Sequence, residues 1–425
     1  MARKKELLIP LNGMSIKIGT LRTLIDLMDE KPPLGINYEK HLKDLINEAF
    51  SKQQVILGNE ETVKFLEDIY LYVTSFHEIE SLLNDPQVSE IMINGFDCIY
   101  KEVCGEIILT NIKFENDIQV RFLINHIINP LGRYINYKVP MVDAHLPDGS
   151  RINAVIPPIV KQGSVLSIRK FLKDIFNLEE LLGLGSISEN MAKFLKICVQ
   201  ARLNILVGGN TSSGKTTLLN ILAGSISDKE RIITIEDSLE LQLPQPHVLS
   251  LEARPADNQG EGLVSMRDLV RNVVRMRPDR IIVGEVRGPE ALDMLQAMNT
   301  GHDGSMVTIH ANSARQALSR LETMVMMAGL DMPLNAIRKQ MASALDLIVY
   351  LSRFPDGTRK VTQITEVVGM DTDIISLTDL FLFNQSGVNE KSQPVGSFRS
   401  TGLRPMFDRK INNFGLSLPP ELLHG

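Results

Sequence analysis

Apolar and polar positions change period several times along the chain. Residues 1–75 are polar overall, but runs such as YEKHLKDLINEAF place apolar residues at helical spacing, which predicts a helical, partly flexible appendage. From 76 to 171 the pattern shortens. SEIMING, CIYKEV and EIIL are β-rich runs, QVRFLINHIINPLGR reads as a helix, and RINAVIPP and SVLSIRKF add two more strands, together a smaller α+β domain. Residues 172–187 carry Gly183 and Gly185 and read as a hinge linker. Ser186 with Glu189 forms a capping-box pattern that predicts a helix to about Gln200. Strand and helix patterns then alternate over 188–368, the signature of an α/β domain with a parallel sheet. Residues 369–425 are rich in Asn, Ser and Pro and predict an irregular tail packed on that domain, anchored by LTDLFLF. The methionine-rich MVMMAGLDMP reads as a buried helix end rather than a partner contact.

Charge and cysteine content narrow the class. A formal net charge of -6 and a pI near 5.8 argue against a general nucleic-acid coat. Cys98, Cys104 and Cys198 are odd in number and have no metal-ligand spacing, so they read as free thiols in a reducing compartment. MARKKELLIP leads into Asn12, Lys17 and Arg22 without a continuous apolar core, and no run approaches the roughly 18 apolar residues of a span. No targeting segment or membrane helix is expected, and membrane contact is expected only through a partner.

The strongest chemistry lies at VGGNTSSGKTT. Gly209, Asn210, Thr211, Ser212, Ser213, Gly214, Lys215 and Thr216 match G-x-x-x-x-G-K-T, with Thr217 following. An apolar run precedes the match as a strand and TTLLNILAG follows as a helix, the context that makes it credible. Backbone N–H groups of such a loop converge on phosphate oxygens, and the helix N-terminus adds partial positive charge. Lys215 reaches the β- and γ-phosphates, and the Thr216 hydroxyl ligates Mg²⁺. ATP and Mg²⁺ are the expected ligands.

Three further apolar runs end in reactive side chains. RIITIED ends in Glu236 and Asp237, RIIVGE in Glu285, and SMVTIH in His310. In an open parallel sheet ligands bind beyond the carboxyl ends of the strands, so all three ends are expected to face the phosphate loop. Glu285 and Glu236 are the candidates to orient or deprotonate the attacking water. A Walker B strand ordinarily ends in a Mg²⁺-binding Asp; here Gly284 stands in that place and the acid comes one residue later. Mg²⁺ is therefore assigned to Thr216, with Glu236 or Asp237 acting through water. His310 is a candidate γ-phosphate donor, and His302 in TGHDGSMVTIH a second.

Taken together these motifs resemble the secretion ATPase superfamily, the motors of type II and type IV secretion and of type IV pili. IEDSLELQL is similar to its Asp box, RMRPDRIIVGEVRG to its atypical Walker B and TGHDGSMVTIHAN to its His box. LLNDPQVSEIMING, VDAHLPDGSRINAVIPP and LSIRKF resemble its N-terminal domain. SRLETMVMMAGLDMP, LTDLFLF, GSFRSTGLRPMFDRKI and GLSLPPELL resemble the Tad/Flp pilus branch. The resemblance covers roughly residues 80–425. It implies a RecA-like P-loop ATPase domain preceded by a PAS-like domain, a homohexamer, a cytoplasmic location at the inner membrane, and docking on an inner-membrane platform protein. It also implies that Arg151 and Arg169 reach towards nucleotide. One departure is His145, where the branch usually carries arginine.

Two other functions share parts of this signature. RecA-like rings also translocate nucleic acid, but the acidic balance and the lack of an aromatic-basic run oppose that here. A scaffold that binds ATP without hydrolysing it would not need both carboxylates.

Overall fold

The computed structural model describes residues 13–55, 57–103, 105–171, 177–256, 260–389 and 393–423. The chain divides into two compact units, residues 1–173 and 174–425.

The first unit opens with four helices, α1 (Gly13–Glu30), α2 (Tyr38–Ser51), α3 (Asn59–Thr74) and α4 (His77–Asn84). Strands β1 (Val88–Asn94), β2 (Ile99–Val103) and β3 (Glu106–Leu109) follow, then α5 (Asp117–Ile128), β4 (Met141–His145), β5 (Arg151–Val155) and β6 (Val165–Arg169). The six strands form one antiparallel sheet in the order β3-β2-β1-β6-β5-β4. Of residues 1–75, expected as an appendage, helices α1 to α3 share the core of this sheet. Leu24, Leu42 and Ile69 from the helices are buried with Ile91, Ile93, Ile152 and Ile168 from the strands. The sheet buries alternate residues and needs a cover on one face, which the helical stripes supply. An Arg121–Asp29 ion pair at 2.6 Å ties α5 to α1. Cys104 lies outside the described residues, Cys198 is fully buried and Cys98 half-buried.

The second unit begins with α6 (Leu178–Gly183), α7 (Glu189–Gln200), β7 (Ile205–Gly209), α8 (Lys215–Ala223), β8 (Ile232–Glu236) and β9 (Val248–Glu252). It continues with α9 (Met266–Val273), β10 (Arg280–Val286), α10 (Glu290–Asn299), β11 (Met306–His310), α11 (Ala314–Met326), α12 (Leu334–Ala344) and β12 (Leu347–Arg353). It ends with β13 (Arg359–Asp371), β14 (Ile374–Val388), β15 (Pro394–Ser400), α13 (Asp408–Asn413) and α14 (Pro420–Leu423). Nine strands form one sheet in the order β15-β14-β13-β12-β7-β11-β10-β8-β9. Strands β12 to β9 in that order are parallel, and β13, β14 and β15 extend the sheet antiparallel. The central strands are buried on both faces, as a parallel sheet requires. Ile205 and Val207 pack on one face with α7 and α8, and Leu206 on the other with α10, α11 and α12.

Three local expectations change. The helix expected from Ser186 is capped by Ser188, whose hydroxyl accepts from the Met191 N–H at 3.3 Å. Ser186 instead accepts through its carbonyl from the Val361 N–H, and the Gly185 carbonyl accepts from the Lys360 ammonium at 2.8 Å, contacts that tie this stretch to β13. Residues 172–176 of the expected linker lie outside the described residues. The stretch 369–425, expected as irregular, contains the long hairpin β14–β15. Asn384, Gln385 and Ser386 at its outer end face solvent, while Leu380 and Phe381 anchor it in the core. MVMMAGLDMP is only half as expected: Met324 and Val325 are buried, whereas Met326 and Met327 are exposed. Among the described residues no helix is long and apolar enough to cross a membrane.

At the amino end of the sheet one buried residue joins three elements. Asn204 donates to the Ala344 carbonyl and accepts from the Gly304 and Ser305 N–H groups, while its own N–H donates to Asp346, which also pairs with Lys410 of α13. The C-terminal segment is closed onto the body again through Phe194, whose ring centroid lies 5.1 Å from that of Phe381 and 6.3 Å from that of Phe407. Phe381→Ala should therefore destabilise the whole second unit by about 3–5 kcal/mol in urea denaturation, as a cavity in a close-packed core does. A loss below about 1 kcal/mol would mean the C-terminal strands are an ornament on an independent core.

Candidate nucleotide site

The glycine-rich loop leaves β7 at Gly209 and enters α8 at Lys215. Gly214 has φ +92° at the N-cap, and Ser212 adopts φ +56°, so the loop takes two left-handed turns within three residues. Gly209 admits no side chain: a β-carbon there would collide with the Ser213 hydroxyl and lie 2.8 Å from the Leu351 carbonyl. The loop is braced from neighbouring strands. Tyr350 of β12 donates to the Asn210 side chain at 3.1 Å, and Arg359 of β13 donates to the Ser212 carbonyl at 3.0 Å. Sequence reasoning did not single out either residue, because neither strand's register is legible from its own pattern. Lys215 folds onto the Asn210 carbonyl at 3.0 Å. Thr211 and Ser212 are exposed at the loop tip, and Thr216 and Thr217 are half-buried in the first turn of α8.

The carboxyl ends of β7, β11, β10 and β8 lie side by side, as expected. His310 is in register with Gly209. Burial and the Lys215 and Arg320 cations push the His310 pKa below the ordinary histidine value, so the ring is neutral near pH 7. Between Val283 and Val286, β10 has one residue more than β11 has between Val307 and Ile309. This bulge at Gly284-Glu285 explains the displaced acid: it inserts a residue and re-aims the one that follows. The Thr308 hydroxyl donates to the Gly284 carbonyl at 2.5 Å and fixes the bulge.

Gly284 also makes room for Glu236 at the end of β8. A β-carbon at 284 would lie 3.0 Å from the Glu236 Cγ. Glu236 is 2% exposed. Its Oε1 accepts from the Glu240 and Leu241 N–H groups, both at 2.9 Å, and its Oε2 is buried without a partner. Burial pushes its pKa up to about 7, against the pull of those two donors. Such a carboxyl exchanges its proton near physiological pH, as a general base does.

Glu285 and Asp237 are joined by a residue the sequence reading passed over. Arg287 donates from Nε and Nη2 to Glu285 Oε2 at 2.9 and 2.6 Å, and from Nη1 to Asp237 at 3.4 Å. Positions 285 and 287 are two apart in extended chain and share a side, a spacing that could have revealed the pair.

His302 is not part of this group. It precedes β11, at the end of the sheet opposite the phosphate loop, and its Nδ1 lies 3.2 Å from the Ala297 carbonyl at the close of α10. Arg151 and Arg169 belong to the first unit, where they form a cross-strand pair with His145 opposite Arg151 and Glu90 opposite Arg169. Directly opposed residues share a face, so Glu90, Arg169, Arg151 and His145 make a polar row on the side of the sheet away from its core. The arginine-to-histidine departure falls within that row.

The loop fits a polyphosphate. The Ser213 hydroxyl is a buried donor without a partner, and the Gly209 cradle has no space for a side chain, the setting in which loop N–H groups meet an anion. Mg²⁺ would be held by Thr216, with Glu236 and Asp237 behind its waters; it keeps several waters and needs no all-protein cage. Bound there, it would neutralise charge on the β- and γ-phosphate oxygens.

A RecA-like sheet with this loop and two acids on adjoining strands defines a P-loop ATPase fold. Residues 73–390 match the family model of type II/IV secretion system proteins, and the chain belongs to that family of secretion ATPases. It is 35% identical to a putative conjugal transfer protein of Mycobacterium tuberculosis over 73% of this chain and 89% of that one. It is 33% identical to the type IV secretion system protein VirB11 of Bartonella henselae over 70% and 93% of the two chains. The ATPase DotB of Yersinia pseudotuberculosis, 18% identical, shares the fold with a TM-score of 0.50 over 71% of this chain and 82% of that one.

The Glu236 shift has a sign that can be checked. Its folded-state pKa lies above the ordinary 4.5, so between those values the folded chain holds a proton that the unfolded chain has released. Stability falls as pH rises through that window. Glu236→Gln should leave denaturation unchanged near pH 4 and stabilise the fold by about 2–3 kcal/mol at pH 8. An equal effect at both pH values would refute burial as the origin of the shift.

Proposed function

We propose that this chain is an ATP-hydrolysing motor that works with Mg²⁺ as a homohexamer on an inner-membrane platform protein and powers assembly of a Tad/Flp-type pilus or a related secretion machine. The observation that carries the reading is the pairing of Glu236 and Glu285 at the ends of neighbouring strands beside a phosphate loop. One carboxyl is buried with a raised pKa, and the other is displaced along its strand by a bulge. A nucleotide-gated scaffold has no need of that pair. The relatives named in conjugal transfer and type IV secretion support work on a membrane machine. The Tad/Flp assignment rests on the C-terminal motif matches.

In this reading ATP lies along the Gly209–Thr216 backbone, with Lys215 leaving the Asn210 carbonyl for the β- and γ-phosphates. Glu285 orients the attacking water, and Glu236 accepts a proton near neutral pH. His310, neutral, donates to the γ-phosphate and registers its loss. Arg151 and Arg169 supply planar guanidinium charge to a nucleotide, a role that suits phosphate better than lysine would.

Steady-state hydrolysis by the full chain, at a concentration that permits ring assembly, is the test. Lys215→Ala should abolish nucleotide binding. Glu285→Gln should bind ATP with near-normal affinity and lose turnover by about 100-fold or more. Normal hydrolysis by Glu285→Gln would move the water-orienting role elsewhere. Arg151→Ala and Arg169→Ala should each lower turnover while leaving the melting temperature within a few degrees. A drop in melting temperature without a drop in turnover would make the row structural.

A further inference from the structure

We propose that Arg287 is a positioning residue: it holds Glu285 in the orientation that aims the attacking water at ATP. The inference rests on the hydrolytic reading above and names a residue that acts through Glu285 rather than on the nucleotide.

The geometry is specific. Nε and Nη2 of Arg287 converge on a single oxygen of Glu285, Oε2, at 2.9 and 2.6 Å. A fork that grips one oxygen fixes the rotation of the carboxylate and leaves Oε1 as the atom presented to solvent. The third donor, Nη1, reaches Asp237 Oδ2 at 3.4 Å, so the guanidinium is steadied from the neighbouring strand end. Its backbone is steadied as well. The Arg287 and Gly288 N–H groups both donate to the buried Glu290 carboxylate, at 2.7 and 2.8 Å, at the start of α10. The arginine therefore grows from a fixed point and reaches back two residues to the bulged acid.

Stability does not account for this arrangement. The Arg287 side chain is 60% exposed, and an ion pair in that setting adds little to stability. Glu285 sits on a bulge, where the ladder that would otherwise hold its backbone is interrupted between Val283 and Val286. A bulged residue gains an aim at the cost of rigidity, and Arg287 restores the rigidity at the side chain. The demand is steep in catalysis, where a displacement of about 1 Å costs about 100-fold in rate. His310 lies within electrostatic reach of Lys215, Glu285 and Arg287, so the clamp stands among the groups that meet the γ-phosphate in this reading.

The test compares wild type, Arg287→Ala, Arg287→Lys, Glu285→Gln and the double variant Glu285→Gln/Arg287→Ala as full chains. It reads kcat and KM for ATP, together with thermal melting. Arg287→Ala should lower kcat by about 10- to 100-fold, with KM changed less than about twofold and melting unaltered. Arg287→Lys should recover part of the loss, since it keeps the charge but not the fork. Adding Arg287→Ala to Glu285→Gln should cost nothing further, because two residues that act as a unit are not additive. Unchanged or faster turnover in Arg287→Ala overturns the inference, and so does a rise in KM matching the loss, which would place Arg287 on the phosphates. Full additivity with Glu285→Gln overturns it too. If wild type does not hydrolyse ATP, the hydrolytic reading fails and takes the inference with it. If wild type turns over, Glu285→Gln does not and Arg287→Ala is normal, only the inference fails.

Discussion

Between Val283 and Val286, β10 carries one residue more than the strand beside it, and the rest of the site is arranged around that surplus. The extra residue must have a side chain small enough to let Glu236 lie against it, and glycine satisfies this. The residue after it is turned outward, and that residue is Glu285. Thr308 holds the irregular carbonyl from β11, and Arg287 holds the turned-out acid from the same strand. A conventional aspartate at 284 would press on Glu236 and displace the carboxyl whose burial raises its pKa. The glycine is thus the condition for both acids at once.

The phosphate loop obeys a similar rule from the other side. β7 is enclosed by β11 and β12, and every residue of it is buried. Gly209 can therefore turn only into the space its own loop leaves, and contacts from Tyr350 and Arg359 keep that loop from spreading. The braces come from a parallel strand and an antiparallel one, which is why the antiparallel extension of the sheet matters to nucleotide chemistry. Far from the loop, the Asn204 network and the Phe194 cluster hold the C-terminal segment that supplies this extension.

Much of this was legible from residue order. Apolar runs that stop in Glu236, Glu285 and His310 are a one-dimensional record of a parallel sheet with polar side chains at its carboxyl edge, and the loop glycines mark the turn between β7 and α8. What escaped were features set by register and by cross-strand partners. His302 sits in the same motif as His310, but a five-residue strand separates them and carries them to opposite ends of the sheet. Ser186 and Ser188 both precede the helix, and only backbone geometry decides which one caps it. The β14–β15 hairpin escaped because its burial does not alternate: Ile375, Leu380 and Phe381 are buried in β14, but no period of two links them, and the strand runs on into the exposed polar residues Asn384, Gln385 and Ser386. Helices α1 to α3 read as an appendage because a sequence shows that an apolar stripe exists but not what it covers.

The order of strands has a consequence for how the molecule comes into being. Both neighbours of β7, β11 and β12, are encoded far downstream of it. While the chain is being made, the nucleotide loop is among the first pieces of the second unit to emerge and among the last to acquire walls. Its cradle requires the Leu351 carbonyl, and its braces require Tyr350 and Arg359. A nascent chain that stops short of those residues carries every residue of the loop motif, with β11 as a neighbour for β7 but without the braces or the second flanking strand. Folding of the second unit is thus weighted towards late, long-range closure, and the capacity to grip a nucleotide arrives only when nearly the whole unit is present.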